Sequence, residues 1–356
     1  LEILQSALAE GRAEIKRRLG EHPSQGYHAS AEQAFLIDQI VRLIYDYVTV
    51  HAYPAANRTA SERIAVLAVG GYGRGEMAPH SDVDIAFVTP SKPTSWCEQV
   101  IEAMLYFLWD LGLKVGHSSR TIADCIRLGR EDITIRTALL EHRYVTGDAA
   151  LAAELDDKLW SDLFRTTGRE FIDAKLAERA ERHKRQGGQR YVLEPNVKEA
   201  KGGLRDLQTL YWIGKYLHRV PSAEGLVGAG LLTGEEYAQF ERAENFLWAA
   251  RCHLHYIAKR PVDQLTFDMQ VEVAGKVAGT DQPELADAFL AFMVSDAFQS
   301  VIPTTNWMYP AVTPTDGLPA GFETLMTPET SLLLSPEDAA AMRDGALEEW
   351  RTALSQ

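Results

Sequence analysis

The chain has 356 residues, 46% apolar and 24% charged, which is enough for a buried core and two domains. Its 50 acidic against 36 basic side chains leave a net charge of −14. That balance excludes a general nucleic-acid binder but is compatible with a local basic pocket for one nucleotide. No apolar run is long enough to span a bilayer, and the charged start LEILQSALAEGRAEIKRRLG does not read as a signal peptide. The expected location is therefore the cytoplasm, with no membrane and no nucleic acid as partner. The first residue is Leu1 rather than methionine, which reads as a fragment. Cys97, Cys125 and Cys252 are widely spaced and read as free thiols buried as small apolar groups.

Residues 1–58 show helical periodicity. Ile3, Leu4 and Leu8 form a short stripe, and Phe35, Ile37, Ile40, Val41, Leu43, Ile44 and Tyr47 form a stronger one that Pro54 ends. These helices are expected to pack on a sheet and carry no chemistry. The stretch that organises the chain follows, IAVLAVGGYGRGEMAPHSDVDIAFV, residues 64–88. The run from Ile64 to Val69 has the length and branching of a buried strand and breaks at Gly70-Gly71, where a chain without Cβ atoms turns sharply. A second strand is expected to begin at Ser81. Its alternation sends Asp82 and Asp84 to one face and Val83, Ile85 and Phe87 to the other. Taken singly, Gly-Gly is also a plain turn and Asp-x-Asp also a solvated strand edge. Together they supply what metal-assisted nucleotide transfer needs: hard oxygen ligands for Mg²⁺, and backbone N–H groups near a triphosphate.

This stretch resembles the nucleotidyltransferase motif of the polymerase β superfamily, a glycine pair followed by paired acids on the next strand. Within it, GGYGRGEMAPHSDVDIAF is similar to the protein-PII uridylyltransferase family. The resemblance implies an α+β fold, with a polymerase β-like nucleotidyltransferase sheet and its helices followed by a helical domain and an irregular, partly helical tail. It also implies UTP and Mg²⁺ as substrate and cofactor, a PII signalling protein as acceptor, and Asp82 and Asp84 as metal ligands and catalytic carboxylates.

Farther along, Ser95 to Leu111 reads as a helix burying Ile101, Met104, Leu105, Leu108 and Trp109, and GLKVGHSSRT, residues 112–121, as a third strand. Many superfamily members carry a third carboxylate on this strand. Here it offers His117, Ser118, Ser119 and Arg120, so the general base is unassigned. Ser119 and Arg120 are candidates for holding the triphosphate or the sugar, since guanidinium matches phosphate oxygens bidentately; for the serines a polar strand end is the other reading. REDITIRTALLEHRYVTGD, residues 130–148, also resembles the family. Its Asp132 is either an N-cap or the third catalytic carboxylate; Glu141 is a weaker candidate, and Asp148 reads as a turn residue.

Residues 149–186 read as charged amphipathic helix. In GGQRYVLEPNVKEAKGGLRDLQTLYWIGKY, residues 187–216, a turn at Glu194-Pro195-Asn196 and a break at Gly202-Gly203 precede a helix burying Leu207, Leu210, Tyr211 and Ile213. Lys198, Lys201 and Arg205 near that helix start either attract an anion or are solvated beside a hinge. This is the stretch most specific to the uridylyltransferase family, which favours the anion. The candidate nucleotide-binding set is thus Gly70, Gly71, Arg74, Ser81, Ser119, Arg120, Lys201 and Arg205. Residues 224–268 continue the resemblance as two helices, the first capped by Thr233 with Glu236 in a capping box. His253 and His255 are two apart and fall on different sides of a helix, so they are not expected to share a metal.

The expected domains are N-terminal helices over 1–58, the nucleotidyltransferase domain over 59–150, a helical uridylyltransferase-associated domain over 151–268 and a tail over 269–356. No His-Asp dipeptide follows, so the uridylyl-removing domain of the family is not expected here. Residues from about 270 to 356 instead resemble the C-terminal part of a periplasmic thiamine-binding protein, which reads as a fusion or composite, with Trp307, Met308 and Tyr309 as core or surface. Repeated prolines there predict mostly loop until a helix near Ser335-Pro336.

Overall fold

The structure is a computed structural model and describes residues 1–55, 59–186 and 192–277, together with residues 314, 315, 317 and 318. Residues Leu1–Phe289 pack as one compact unit. In chain order the elements are α1 (Glu2–Glu21), α2 (Gly26–Tyr47), β1 (Ala65–Ala68), α3 (Gly70–Arg74), β2 (Val83–Thr89), α4 (Ser95–Asp110), β3 (Val115–Thr121), α5 (Ile122–Glu131), α6 (Ile133–Leu140) and β4 (Arg143–Gly147). They continue with α7 (Ala149–Asp162), α8 (Gly168–Arg185), α9 (Leu204–His218), α10 (Gly225–Gly228), α11 (Gly234–Ala258) and α12 (Phe267–Val277).

The four strands form one mixed sheet in the order β3-β2-β1-β4. β1 runs antiparallel to both β2 and β4, whereas β2 and β3 are parallel, with Asp84 opposite Gly116. Alternation along β2 works as the sequence predicts. Val83, Ile85 and Phe87 enter a core built with Ile37, Ile40, Val41 and Ile44 of α2 and Val100, Met104 and Leu108 of α4. Ala86 and Val88 enter the opposite core with Leu139 of α6, Leu151, Leu155 and Leu159 of α7, and Trp212 and Tyr216 of α9. Asp84 belongs to this second face, at the end where apolar packing stops. The strand itself begins at Val83; Ser81 and Asp82 lie in the turn before it, where the Ser81 hydroxyl oxygen accepts from the Ala78 amide at 3.0 Å.

Helix starts follow local capping chemistry. Thr94, Thr121 and Asp148 each accept an amide of their own first turn, and Thr233 with Glu236 forms the full capping box. Burial registers differ from expectation in four places, beginning with Ile3 of α1, which is exposed while Leu8 of the same stripe is buried. Phe35, Leu43 and Tyr47 are exposed, because the buried stripe of α2 runs through Ala34, Ile37, Val41 and Ile44, and these three project from its other sides. Trp109 is likewise exposed and meets Tyr106 and His117 edge-on. On α9 the buried series is Leu204, Gln208, Trp212 and Tyr216, while Leu210 is exposed, because the inward face of this helix meets polar groups rather than a purely apolar core. β4 had no forecast; RYVTG is too short and too polar for its period to register.

The N-terminal helices pack on the sheet through α2, and α2 also carries α11 on its other side. The two helices approach so closely at Gly26 that a Cβ there would lie 1.9 Å from the Ala249 nitrogen. Cys97, Cys125 and Cys252 are buried free thiols. Among the described residues no helix is long and apolar enough to cross a membrane. Past α12, the expected tail, with Trp307, Met308, Tyr309 and the helix near Pro336, lies almost wholly outside the described residues. Replacing Gly26 with Ala should push α2 off α11 and destabilise the protein by about 3 kcal/mol, the upper range for overpacking. A drop of several degrees in the midpoint of thermal unfolding checks this; an unchanged midpoint would contradict the contact.

Candidate active site

Two cavities meet at the end of β2. The larger, about 500 Å³, lies between β2, β3 and α6 on one side and α8 and α9 on the other, and includes Asp84, Gly116, Ser118, Arg120, Lys175, Arg182, Arg185, Arg205 and Trp212 in its walls. The smaller, about 330 Å³, is walled by the glycine turn, Ser81, Asp82, Asp84, Lys198, Arg205, Arg251, His255 and Asp263. Gly70, Asp84, Glu141 and Arg205 belong to both. The larger is of a size that takes a nucleotide-sized ligand. In a chain with net charge −14, the larger cavity is lined by five arginine and lysine side chains and four carboxylates, a locally more basic wall that the overall balance left possible.

The carboxylate of Asp84 sits in space that two glycines leave open. A Cβ on Gly116 would lie 2.3 Å from its Oδ1, and one on Gly70 3.2 Å from its Oδ2. Gly70 also has φ +60°, a conformation that other residues adopt only under strain. Burial raises the pKa of Asp84, the charges of Asp82 and Glu141 raise it further, and Lys198 offsets part of this. Asp82 is exposed and lies 3.7 Å from Lys114. Two neighbouring carboxylates, one half-buried and one facing the exposed Lys114, form a hard-oxygen donor set that suits a divalent cation. The residues present therefore fit the metal that the motif implies. No group of three or more His, Cys, Asp or Glu forms a metal cluster among the described residues, so the remaining ligands would come from phosphate and water.

Other expected site residues are placed differently. Arg74 does line the smaller cavity, but its guanidinium is buried and already paired, to Glu76 at 2.7 Å and to Glu141. Burial opposes its charge, and attraction to Glu141 and Glu76 outweighs that, so its pKa stands above the ordinary arginine value. Arg74 is thus not available to neutralise a triphosphate. Asp132 is the N-cap of α6, accepting from the Thr134 amide at 2.6 Å and the Ile135 amide at 3.2 Å, and it lines neither cavity. That removes it as the third carboxylate. Its own backbone bonds hold its pKa below the usual range. Ser119 turns to the α4 side of β3, into a groove with Leu105, Tyr106 and Trp109; strand alternation leaves Ser118 and Arg120 on the cavity side. Lys201 is exposed and borders neither cavity, whereas Lys198, three residues earlier, lines the smaller one. Arg205 stands where expected, held by Gln208 at 2.9 Å and Glu199 at 3.3 Å.

Several site groups carried no sequence signal beyond charge. Lys175, Arg182 and Arg185 come from α8, whose helical charge pattern gives no hint that one side faces a cavity. Asp206 fixes their helix in place: it accepts from the Gly202 amide at 2.8 Å, from Arg182 at 2.6 Å and from His183 at 2.9 Å. Burial works against its charge, but these donors prevail and lower its pKa to about 2. In the smaller cavity, Asp263 receives Arg251 at 2.7 Å and His255 at 3.3 Å. His253 instead meets the Pro23 carbonyl at 3.2 Å, so the two histidines have separate partners.

A mixed sheet bearing a glycine turn, with paired acids at the start of the adjoining strand and helices closing over it, defines a nucleotidyltransferase domain. Comparison with known proteins agrees: residues 55–143 match the nucleotidyltransferase domain family, and residues 170–299 match the family described as GlnD PII-uridylyltransferase. Proteins named bifunctional uridylyltransferase/uridylyl-removing enzyme are similar to this chain. One from Cereibacter sphaeroides is 66% identical over 275 residues, 77% of this chain and 30% of the relative. One from Novosphingobium aromaticivorans is 62% identical over 283 residues, 80% and 31%, and one from Azospirillum brasilense 49% over 278 residues, 78% and 30%. Over these residues the chain is similar to the PII-uridylyltransferase family. It spans about three-tenths of the length of the curated relatives it matches. None of these matches supports the thiamine-binding resemblance of the tail, and the uridylyltransferase match itself continues to residue 299.

Because its folded-state pKa is raised, Asp84 costs stability once ionised; the penalty is present above that pKa and fades as pH falls towards the ordinary aspartate range. Asp84→Asn should therefore raise the melting temperature of the metal-free protein at neutral pH, with the gain vanishing near pH 4. Melting curves across that range check the sign, and a lower melting temperature at neutral pH would refute it.

Proposed function

We propose that this chain transfers a uridylyl group from UTP to a tyrosine hydroxyl of a PII signalling protein, releasing pyrophosphate. The observation that carries this reading is the placement of Asp84, shared by both cavities, beside the glycine turn and opposite the cationic walls of α8 and α9. Similarity to that family supports the reaction class and the nucleotide and PII partners. A cytoplasmic location suits three unpaired thiols.

Asp82 and Asp84 would hold Mg²⁺. When bound, the cation supplies charge neutralisation on the phosphates and polarises the α-phosphorus for in-line attack. Gly70 and Gly71 let the backbone approach the triphosphate, because the first amides of α3 have no carbonyl within that helix to donate to. Arg205 and Lys198, with Ser81 beside them, line the smaller cavity near the same turn and would offset phosphate charge there. Burial, followed by Arg251 and Arg205, lowers the pKa of Lys198, so its ammonium gains from an incoming anion. Arg120 and Arg185 would serve the same purpose in the larger cavity, whose wall Lys175 and Arg182 complete while paired to Glu178 and Asp206. The protein's work is alignment and charge compensation, with little covalent chemistry of its own.

Transfer of label from α-labelled UTP to purified PII tests this reading. Asp84→Asn should reduce turnover at least about a thousandfold, about 4 kcal/mol of barrier. Near-normal turnover would remove the carboxylate from the mechanism. Heat on titration with Mg-UTP without any transfer would make the chain a nucleotide-binding module instead.

A further inference from the structure

The chain buries a second polar assembly beside the site, and the transfer chemistry above does not use it. Glu141, at the end of α6, is only 4% exposed. Its Oε1 receives two donors, the indole N–H of Trp212 from α9 and the guanidinium of Arg74 from α3. Arg74 in turn holds Glu76 at 2.7 Å. The contact is also made by backbone, since a Cβ on Gly73 would lie 2.3 Å from the Glu141 carbonyl oxygen. Glu141 thus grips the helical turn that begins with Gly70 by side chain and main chain together. On its other side, Trp212 presents its ring to Lys175 at 4.7 Å and to Arg205 at 5.3 Å, and both cations line the larger cavity.

We propose that Trp212 and Glu141 are positioning residues: a clamp running from Trp212 through Glu141 to Arg74 sets the glycine turn, and with it the space that Asp84 occupies, relative to the cations of α8 and α9. This rests on the transferase reading for its consequence but not for its existence. A buried carboxylate with two donors on one oxygen holds a single arrangement, because losing either donor leaves polar groups unpaired away from water. The three members come from elements about seventy residues apart in sequence, Arg74 to Glu141 and Glu141 to Trp212, so a fixed link between them aligns phosphate-holding cations with metal-holding carboxylates. Misplacement there costs rate more than affinity, since the binding cations remain.

The test is Trp212→Phe, which keeps an aromatic face for Lys175 and Arg205 but removes the N–H, with Glu141→Gln as a second variant that keeps volume and removes the charge. Both should lower kcat by about ten- to a hundredfold, as loss of outer-sphere support does. For Trp212→Phe, Mg-UTP affinity by calorimetry should stay within about threefold of the parent, since Arg205, Lys198 and Asp84 keep their charges and Glu141 keeps its own. Amide exchange at residues 70–75 should quicken in both variants without a matching change in α11, whether or not the protein transfers uridylyl groups. An unchanged kcat alongside unchanged exchange at the glycine turn would overturn the clamp. So would a parallel loss of kcat, affinity and melting temperature, the mark of plain unfolding. If the parent protein transfers nothing, the transferase reading fails, and the exchange measurement still decides whether the clamp exists.

Discussion

The close approach of the Asp84 carboxylate to two residues without side chains governs the geometry of this molecule's working end. Gly116 on β3 and Gly70 at the turn leave the space that its two oxygens occupy. The parallel pairing of β2 with β3 sets Asp84 directly across from Gly116, so register and composition cooperate. A one-residue slip would put His117 opposite the acid and turn the carboxylate's face away from the cavity. Desolvation and the charges of Asp82 and Glu141 disfavour an ionised Asp84, a tension that a cation held there would relieve.

Around this point the protein separates two kinds of positive charge. Arg74 belongs to the internal framework, buried against Glu76 and Glu141 and closed to ligands. Arg120, Arg205 and Lys198 border open space. The same division holds among carboxylates: Asp206 and Asp263 are saturated with donors and anchor helices, while Asp82 and Asp84 share one cavity wall. Burial and pairing act together here: Arg74 is sealed between two carboxylates, whereas Arg205, though held by Glu199 and Gln208, still lines both cavities.

The N-terminal helices have a structural part in this. α2 packs against the sheet with one side and against α11 with another, so the helical region that supplies Arg251, His255 and Asp263 is braced through α2 rather than through the sheet alone. Arg143 of β4 strengthens the same junction by holding Asp38 of α2 at 2.7 Å.

The sequence by itself determined the strand, turn, strand core of the site. Gly70-Gly71 and the alternation of Asp84 with Val83, Ile85 and Phe87 are local patterns, and the period of two holds in the folded β2, although Asp82 falls in the turn before it. It also determined the cap at Thr233 and the long helical stretches, because those depend on neighbours a few residues away. Only the tertiary structure decided which charges face a cavity. Asp132, Ser119 and Lys201 lie close in sequence to lining residues yet face elsewhere, and Arg74 lines the smaller cavity with its guanidinium already paired to Glu76 and Glu141. Lys175, Arg182 and Arg185 were invisible for the converse reason: their importance comes from α8 folding across a site whose carboxylates lie about ninety residues away, and no local period records a contact at that separation.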